Sequence, residues 1–543
     1  MTPRRTTRLS LCMIVRDEEK ALPQCLAAAR PHVDEICIVD TGSKDRSVAI
    51  AQSFGAKVKS IEWPDSFAAA RNASLEMASG DWILFLDADE VLRADTVWSL
   101  RDIVGDERML GAHLRFINHY DGKKPIDCLI LRLFRNAPEH RFTGAIHEQV
   151  LDSLLATQAR SGGRIVDTNV TVDHYGYKDA VRDEKKKDER NRILFEAAVA
   201  AEPANVYLRF KYADFLRKFK DAEKTLLELD RTVALLDALP ESKARSLSFA
   251  GEAYALYALE LARAGRLTEA DRVLAKGASR STPTATYHWM RGHVDLRLER
   301  FGDALVSFER CRALDGKTAH MPAQPGVTGP KAWFGRARAL LGLGQAEEAS
   351  RLFLEGAALW PEDRDLGLAA AKIEASVGSL QDALERLMKH LEADRDDAEF
   401  WEVGAAILLE LNVLDRAETW AERALAKPET AAGAAAIVGE CRLAKGALEA
   451  ALESFGRHPD DPRCIVGLTL LYLLAGEPLP EEWRGEFGPH VTARRRILRR
   501  LVRTPEGEKL VRRCEDAARR YPRFGPAFAE DMRALVTLRT ARG

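Results

Sequence analysis

Short apolar runs alternate with helical patterns in the first third of the chain. Residues 9–15, 35–39 and 82–86 have the pattern of buried strands, and residues 22–30 and 46–54 have helical spacing. Strands that alternate with helices are typical of α/β domains with a largely parallel sheet. The chain from residue 9 to about residue 176 is therefore predicted to form such a domain.

From about residue 191 onward, Ala-, Leu- and Glu-rich helical patterns replace the strand patterns. One alanine recurs at intervals of 34, 45, 34, 34 and 34 residues, at Ala270, Ala304, Ala349, Ala383, Ala417 and Ala451. The longer interval contains an insertion near residues 316–330 that is rich in Gly and Pro. Small residues let paired helices approach closely, so the pattern predicts stacked helical hairpins.

Two segments flank this array. A weaker unit is predicted over residues 207–229, with Ala222 as the equivalent alanine. Beyond residue 458 the phase is lost, and residues 481–543 are predicted to cap the array. The cap has a basic cluster, for which an exposed capping helix is favoured over a nucleic-acid or lipid site: Arg494, Arg495, Arg496, Arg499, Arg500 and Arg503.

Charge and composition restrict the partners that the protein can have. The chain has 543 residues, 46% of them hydrophobic, and 81 Lys and Arg against 83 Asp and Glu give a formal charge of -2. A near-neutral chain lacks the global positive charge of a nucleic-acid or anionic-membrane binder. Any anionic ligand must therefore be bound by local groups.

The sequence also gives an expectation about compartment. The longest apolar stretch, residues 464–476, is shorter than the roughly 18 residues that span a bilayer, and no cleavage site follows the basic start. The eight cysteines have neither paired nor metal-finger spacing, which favours reduced thiols in the core. We therefore expect a cytoplasmic protein without an integral membrane segment.

Acidic residues follow the predicted strands directly. Asp17 follows the first strand, Asp40 the second, and Asp87 and Asp89 the third. Ligands of α/β sheets bind at the carboxyl ends of the strands. Two carboxylates separated by one residue offer the oxygen ligands that divalent cations prefer. The predicted strand ends are thus a candidate cation and nucleotide site.

Four blocks occur together and in order: residues 11–19 (LCMIVRDEE), 36–45 (ICIVDTGSKD), 63–72 (WPDSFAAARN) and 87–90 (DADE). As a set they resemble the family 2 glycosyltransferases, which have the GT-A fold, and particularly a bacterial branch in which this domain precedes tetratricopeptide repeats. The 34-residue phase of the second half is similar to that repeat. Asp17 is a departure, since the family more often has Asn there.

The resemblance implies a nucleotide-sugar donor at the strand ends. It implies that Asp40 contacts the base or ribose, that Arg71 lies near the nucleotide, and that Asp87 faces the ribose. It also implies that Asp89 binds Mn²⁺ or Mg²⁺ on the diphosphate. A cation and an arginine would neutralise the charge that develops on the leaving nucleoside diphosphate.

Two further blocks resemble the same branch: residues 142–148 (FTGAIHE) and 174–177 (HYGY). An inverting transfer needs a general base, for which Glu148 is the candidate; a structural pair with Arg132 or Arg135 is the alternative. His174 is a candidate metal ligand, since imidazole suits a Mn²⁺-type ion, or else a satisfied core histidine. His147 is a candidate to orient Glu148 or the acceptor.

The predicted organisation has four segments: a GT-A domain at 1–178, a charged linker with a helical, repeat-like segment at 179–248, a tetratricopeptide-repeat solenoid at 249–460, and a helical cap at 461–543. The predicted function is metal-dependent, inverting transfer of a sugar to an acceptor that the repeats recruit. A protein or peptide acceptor fits such a groove, and a glycan or lipid-linked acceptor stays open. The alternatives are a non-catalytic repeat scaffold with a degenerate transferase domain, and a nucleotidyltransferase.

Overall fold

The computed structural model describes residues 7–96, 100–120, 123–177, 184–484 and 491–531. The chain divides into two compact units between residues 344 and 345. This division lies inside the predicted repeat array, and the predicted domain limits themselves remain predictions. Residues 178–183, where the predicted charged linker begins, and residues 485–490 and 532–543 of the predicted cap lie outside the described residues.

The first unit begins with an α/β domain. Its elements are β1 (Leu9–Val15), α1 (Leu22–Ala29), β2 (Glu35–Asp40), α2 (Ser47–Ser53), β3 (Lys57–Ser60), α3 (Phe67–Glu76), β4 (Trp82–Phe85), β5 (Glu90–Leu92), α4 (Leu100–Gly105), β6 (Met109–Tyr120), β7 (Lys123–Arg135), α5 (Leu151–Ser161) and β8 (Arg164–Tyr177). The strands form one sheet in the order β3-β2-β1-β4-β7-β6-β8-β5. The three predicted strands and two predicted helices are present, with bounds that agree closely with the sequence pattern.

The sheet is mixed, which corrects the expectation of a largely parallel sheet. β1 pairs in parallel with β2 and β4, and β2 with β3, whereas β7 is antiparallel to both β4 and β6. β6 to β8 are long strands that mix apolar with polar residues; in β6, Ala112, Leu114 and Phe116 are buried and His113 and Arg115 between them are less so. The prediction rested on continuous apolar runs and therefore missed these strands.

The register brings the strand ends to one edge of the sheet. Val15 at the end of β1 is opposite Asp40 at the end of β2, and Cys12 in β1 is opposite Phe85 at the end of β4. The apolar residues of β1 and β2 are buried on both faces by the helices of the domain. The polar residues that follow these strands consequently meet at the rim of a rigid core.

Helices make up the rest of the described chain. In the first unit they are α6 (Glu184–Ala201), α7 (Val206–Arg217), α8 (Ala222–Ala238), α9 (Glu241–Ser246), α10 (Ala250–Arg263), α11 (Leu267–Arg280), α12 (Ala285–Arg297), α13 (Phe301–Arg312) and α14 (Ala332–Gly342). In the second unit they include α15 (Ala346–Leu359), α16 (Arg364–Ser376), α17 (Leu380–Ala393), α18 (Ala398–Glu410), α19 (Leu414–Ala424), α20 (Pro428–Ala444), α21 (Leu448–Gly456), α22 (Pro462–Ala475), α23 (Val491–Leu501) and α24 (Pro505–Ala518). Within each unit, successive helices pack as hairpins, as the 34-residue phase predicts.

The phased alanines have a common position in these hairpins. Each is the fourth residue of its helix and is fully buried: Ala270, Ala304, Ala349, Ala383, Ala417 and Ala451. The predicted earlier unit exists as the α7–α8 hairpin, but Ala222 begins α8 and is exposed. The fourth residue of α8 is Thr225, which is 1% exposed, so Thr225 and not Ala222 is the equivalent small residue.

Three expectations about the second half and the thiols can be compared with the structure. Arg494 and Arg500 are buried and paired with Asp531 and with Glu410 and Glu440, which corrects the expectation of exposure at these two positions. Arg495, Arg496 and Arg499 are exposed, as expected. All eight cysteines are free and buried. Among the described helices, none combines the length and the apolar character needed to cross a bilayer.

Helix α6 packs directly on the α/β domain. Leu194 and Phe195 of α6 form a cluster with Ile146, and the rings of Trp63 and Phe67 pack against this cluster. The charged residues 184–192 therefore form the first part of a helix that adjoins the loop carrying the predicted His-Glu pair.

Candidate active site

The DADE block forms a tight turn between β4 and β5. The backbone N–H of Glu90 donates to the carbonyl of Asp87 over 3.1 Å, and the side chain of Glu90 accepts from the backbone N–H of Asp87 over 3.0 Å. The turn fixes Asp87 and Asp89 at the carboxyl end of β4 and leads into β5, which pairs with β8. Asp89 is thereby brought opposite the end of β8.

Two arginines, Arg71 buried and Arg132 largely so, bind the carboxylates of this turn. Arg71 of α3 donates to Asp87 over 2.9 Å and also pairs with Glu148. Arg132 of β7 lies 3.4 Å from the other Asp87 oxygen and also pairs with Glu90. The result is an alternating chain of acids and bases from Glu148 through Asp87 to Glu90.

The charges of this chain shift its acids in opposite directions. Burial disfavours ionisation of Asp87, but Arg71 and Arg132 outweigh burial and lower the pKa of Asp87 to about 2. Burial, together with the charge of Asp87, outweighs Arg132 at Glu90 and raises the pKa of Glu90 to about 7. Strongly perturbed acids in one cluster are typical of functional sites.

Aromatic rings support both guanidinium groups. The guanidinium carbon of Arg71 lies 5.2 Å from the ring centre of Phe85, and that of Arg132 lies 4.4 Å from the same ring. Nη1 of Arg71 is buried and has no hydrogen-bond partner among the described residues. A buried cationic donor without a partner is costly, and an anionic ligand would satisfy it.

Asp89 and His174 face each other across the β5–β8 pair. Oδ2 of Asp89 lies 3.6 Å from Nε2 of His174, and the backbone N–H of Tyr175 donates to the carbonyl of Asp89 over 3.1 Å. The amide nitrogen of Asn118 donates to the carbonyl of Ile126, so its oxygen, 2.8 Å from Nδ1 of His174, is the acceptor for that ring nitrogen. In the neutral ring, Nε2 therefore carries the lone pair that faces Asp89.

A carboxylate and an imidazole nitrogen form a donor set that suits a Mn²⁺-type ion. The hydrogen bond to Asn118 fixes the orientation of the His174 ring, as such bonds do for histidine ligands in metal sites. Burial lowers the pKa of His174, but Asp89, Glu90 and Asp87 outweigh burial and raise it. A proton and a cation would therefore compete for Nε2.

The loop that carries Glu148 is attached to α3. The side-chain amide of Asn72 donates to the carbonyl of Phe142 and accepts from its N–H, both over 2.9 Å. The N–H of Phe67 donates to the carbonyl of Ala145 over 2.8 Å. These contacts place Glu148 beside Arg71, so its salt-bridge partner is Arg71 and not the predicted Arg132 or Arg135.

His147 packs against α6. Its ring packs against Phe195 of α6 at 5.3 Å between ring centres, and its backbone φ is +50°. The orienting role proposed for His147 remains a prediction.

Asp40 and Asp17 stabilise the turns at the other strand ends. The carboxylate of Asp40 accepts from the backbone N–H groups of Gly42 and Ser43, and it is 4% exposed. Asp17 has a φ of +55°, and its carboxylate accepts from the N–H of Lys44 over 2.7 Å. The aspartate at position 17 thus joins the first turn to the second.

Three residues of this site have no functional role in the predictions from sequence. Glu90 belongs to the block at residues 87–90, and Arg132 is predicted only as an alternative partner of Glu148. Asn118 had no signal along the chain, because its place beside His174 results from the parallel register of β6 and β8. Register between distant strands is invisible to local pattern.

These features define a class of protein: an α/β domain of GT-A type, with an acidic turn, paired arginines and a candidate cation site at the strand ends, followed by helical repeats. Residues 10–140 match the family described as Glycosyl transferase family 2. The chain therefore carries a family 2 glycosyltransferase domain followed by tetratricopeptide repeats.

Similar proteins agree with this assignment. The chain is 41% identical over 211 residues to a TPR repeat-containing protein of Synechococcus elongatus, which covers 38% of the chain and 52% of that protein. It is 25% identical over 233 residues to the glycosyltransferase SunS of Bacillus subtilis, covering 42% of the chain and 54% of SunS. The chain thus spans about half the length of these curated relatives.

Among solved structures, a tetratricopeptide repeat protein from Parabacteroides merdae aligns with 46% of the chain and 93% of its own length, at a TM-score of 0.36 and 15% identity.

Proposed function

We propose that the protein is a metal-dependent glycosyltransferase that moves a sugar from a nucleotide-sugar donor to an acceptor. The observation that carries the proposal is the acidic turn after β4, where Asp87 is bound by two arginines and Asp89 faces His174 at 3.6 Å. The unpartnered Nη1 of Arg71 supports an anionic ligand at this turn. A nucleoside diphosphate has the charge and the oxygens that such a set would bind.

In the proposed mechanism, Asp40, Arg71 and Asp87 bind the donor, and Asp89 and His174 hold Mn²⁺ or Mg²⁺. When bound, the cation stabilises the negative charge of the departing diphosphate. The acceptor nucleophile forms a bond to the anomeric carbon as the bond to the diphosphate oxygen breaks. Glu148 takes the proton of the acceptor, and the configuration inverts.

The position of Glu148 is compatible with two roles. Its carboxylate pairs with Arg71, which also binds Asp87, and its side chain is 11% exposed. As a base it would need its carboxylate to reach the acceptor proton. As a positioning residue it would hold Arg71 on the donor. We propose the first role, and the Glu148→Gln variant discussed below separates the two.

The repeats are proposed to recruit the acceptor or a partner protein. Repeat arrays of this kind present large surfaces that bind peptides and helices.

The test is a panel of nucleotide sugars incubated with the purified full-length chain and Mn²⁺, with release of the nucleoside diphosphate as the readout. We expect hydrolysis of one donor class, and a rise in melting temperature with the matching nucleoside diphosphate only when Mn²⁺ is present. If UDP, GDP and a deoxynucleoside diphosphate with Mn²⁺ all leave the melting temperature unchanged, the proposal fails in favour of a non-catalytic scaffold.

A further inference from the structure

One segment of the repeat region returns to the sheet. It comprises residues 313–326, between α13 and α14, and is called the tether segment below. Thr318 donates to the carboxylate of Asp127 over 3.0 Å, and the carbonyl of Ala319 accepts from the N–H of Leu129 in β7 over 2.9 Å. Further along, the N–H of Gln324 donates to Thr286 in α12 over 3.0 Å. The tether segment therefore connects the sheet of the α/β domain with the helices of the same unit.

Where the tether segment crosses β6 and β8, three side chains with metal-binding groups meet. His113 of β6 and Asp167 of β8 are register partners in the sheet, and His320 comes from the tether segment. One ligand atom from each of the three lies within 4.8 Å of the others, and the two imidazole rings are 4.5 Å apart between centres.

The hydrogen bonding of this cluster is incomplete. Oδ1 of Asp167 lies 3.0 Å from Nε2 of His320 and also 3.0 Å from Nδ1 of His113. The contact with His320 has hydrogen-bond geometry, but Nδ1 of His113 is buried and makes no hydrogen bond with the described residues. A single cation between the three groups would satisfy the carboxylate oxygen and both nitrogens.

We propose that His113, Asp167 and His320 bind a zinc-class divalent cation that fastens the tether segment to the sheet. Two imidazoles with one carboxylate suit Zn²⁺ or Co²⁺, whereas Mg²⁺ and Ca²⁺ prefer oxygen ligands alone. The side chains of Asp167 and His320 are 51% and 38% exposed, which gives the ion a path of entry and leaves room for water as a fourth ligand.

This site uses none of the residues assigned to donor binding or catalysis, so its failure and that of the proposed function are separate outcomes.

The experiment is zinc binding by the full-length chain after chelator treatment and desalting, measured by titration calorimetry and by metal analysis. The test variant is His320→Ala, since His320 lies on an exposed segment, and Asp167→Asn is a second variant that keeps the shape. The controls are His458→Ala, which removes an imidazole of the second unit, and Asp89→Asn, which removes the proposed catalytic ligand.

We expect zinc to bind at this site with the same affinity in the wild type and both controls, and at least about tenfold more weakly in His320→Ala and Asp167→Asn. With Co²⁺, the wild type should give visible absorption bands that His320→Ala lacks. Zn²⁺ should also slow tryptic cleavage after the exposed Lys317 of the tether segment in the wild type but not in His320→Ala. Wild-type zinc affinity in His320→Ala, or loss of zinc binding in Asp89→Asn alone, would overturn the proposal.

Discussion

At the scale of single residues, the candidate site depends on which charge pairs with which. Arg71 and Arg132 lower the pKa of Asp87 and keep it ionised, whereas burial raises the pKa of Glu90, in the same turn, to about 7. Two acids of one sequence block, three positions apart, thus have pKa values that are shifted in opposite directions. The sequence block predicts where the site lies. The charge states of its acids depend on Arg71 from α3 and Arg132 from β7, which only the fold brings together.

Asp89→Asn tests the proposed cation site at the strand ends. The substitution removes the charge that faces His174 and keeps the shape of the turn, so we expect metal-dependent donor hydrolysis to fall by at least about a hundredfold. Release of nucleoside diphosphate at several Mn²⁺ concentrations is the measurement. The exposed Asp102→Asn is the control and should keep wild-type turnover. Wild-type turnover in Asp89→Asn would remove the metal assignment.

Glu148→Gln distinguishes a base from a positioning residue. If Glu148 accepts the proton of the acceptor, the amide should lower kcat by about a hundredfold or more and leave the affinity for the nucleoside diphosphate unchanged. Binding is measured by calorimetry, and Glu139→Gln, an exposed glutamate, is the control. Weaker nucleotide binding in Glu148→Gln would instead indicate that Glu148 acts through Arg71.

Glu252→Gln gives a pH test at a buried acid of the repeats. Glu252 is 2% exposed in α10, and burial outweighs its hydrogen bonds with Thr286 and Gln324 and raises its pKa to about 7. Because the folded state holds this proton more tightly than the unfolded state, the contribution of Glu252 to stability falls as pH rises from about 4.5 through 7.

The amide cannot ionise, so Glu252→Gln should be near wild-type stability at pH below about 5 and more stable by on the order of 2 kcal/mol above neutrality. Urea unfolding across this pH range measures the difference. Glu269→Gln is a suitable control. Because Arg266 lowers the pKa of Glu269, this substitution should not stabilise the protein as the pH rises. A pH-independent difference for Glu252→Gln would contradict the prediction.

At the scale of elements, the pattern predicts strands with continuous apolar runs and helices that recur at a fixed interval. It does not predict strands that mix polar and apolar residues. β1, β2 and β4 were predicted from apolar runs because helices bury both faces of these strands. β6 and β8 carry charged and polar residues on one face, and their pairing depends on residues more than fifty positions apart. Asn118 and His174 meet only through that pairing, so the hydrogen bond that holds the His174 ring could not be predicted.

The phased alanines were predictable because they answer a local packing requirement. Each is the fourth residue of its helix and is fully buried, so a side chain as large as leucine there would collide with the surrounding residues. The equivalent position in α8 is occupied by Thr225, which an alanine search passes over. Position in the helix, and not residue identity, is therefore the signal of the repeat.

Ala349→Leu and Ala346→Leu in α15 test this requirement with the same substitution. Ala349 is fully buried and Ala346 is exposed three residues earlier. Overpacking at Ala349 should cost about 1–3 kcal/mol, whereas Ala346→Leu should change the free energy of unfolding by less than about 0.5 kcal/mol. Urea unfolding followed by circular dichroism, evaluated at the transition of the second unit, measures both, and equal effects would contradict the assigned repeat phase.

At the scale of the whole molecule, each compact unit has hydrophobic clusters of its own. Strand and helix residues up to Ala339 form the clusters of the first unit, and residues from Leu368 onward form those of the second. A chain built in this way has no single core whose loss would unfold all of it. Two-state behaviour is correspondingly not expected of a chain of this size.

Calorimetry of the full-length chain should therefore give a ratio of calorimetric to van't Hoff enthalpy above one. A nucleoside diphosphate with Mn²⁺ should raise only the transition of the first unit, because the proposed donor residues, from Asp40 to His174, all belong to it and a ligand stabilises only the structure that binds it. Asp89→Asn should abolish that shift and leave the other transition unchanged. A single transition with a ratio of one, moved as a whole by the ligand, would mean that the two units unfold as one.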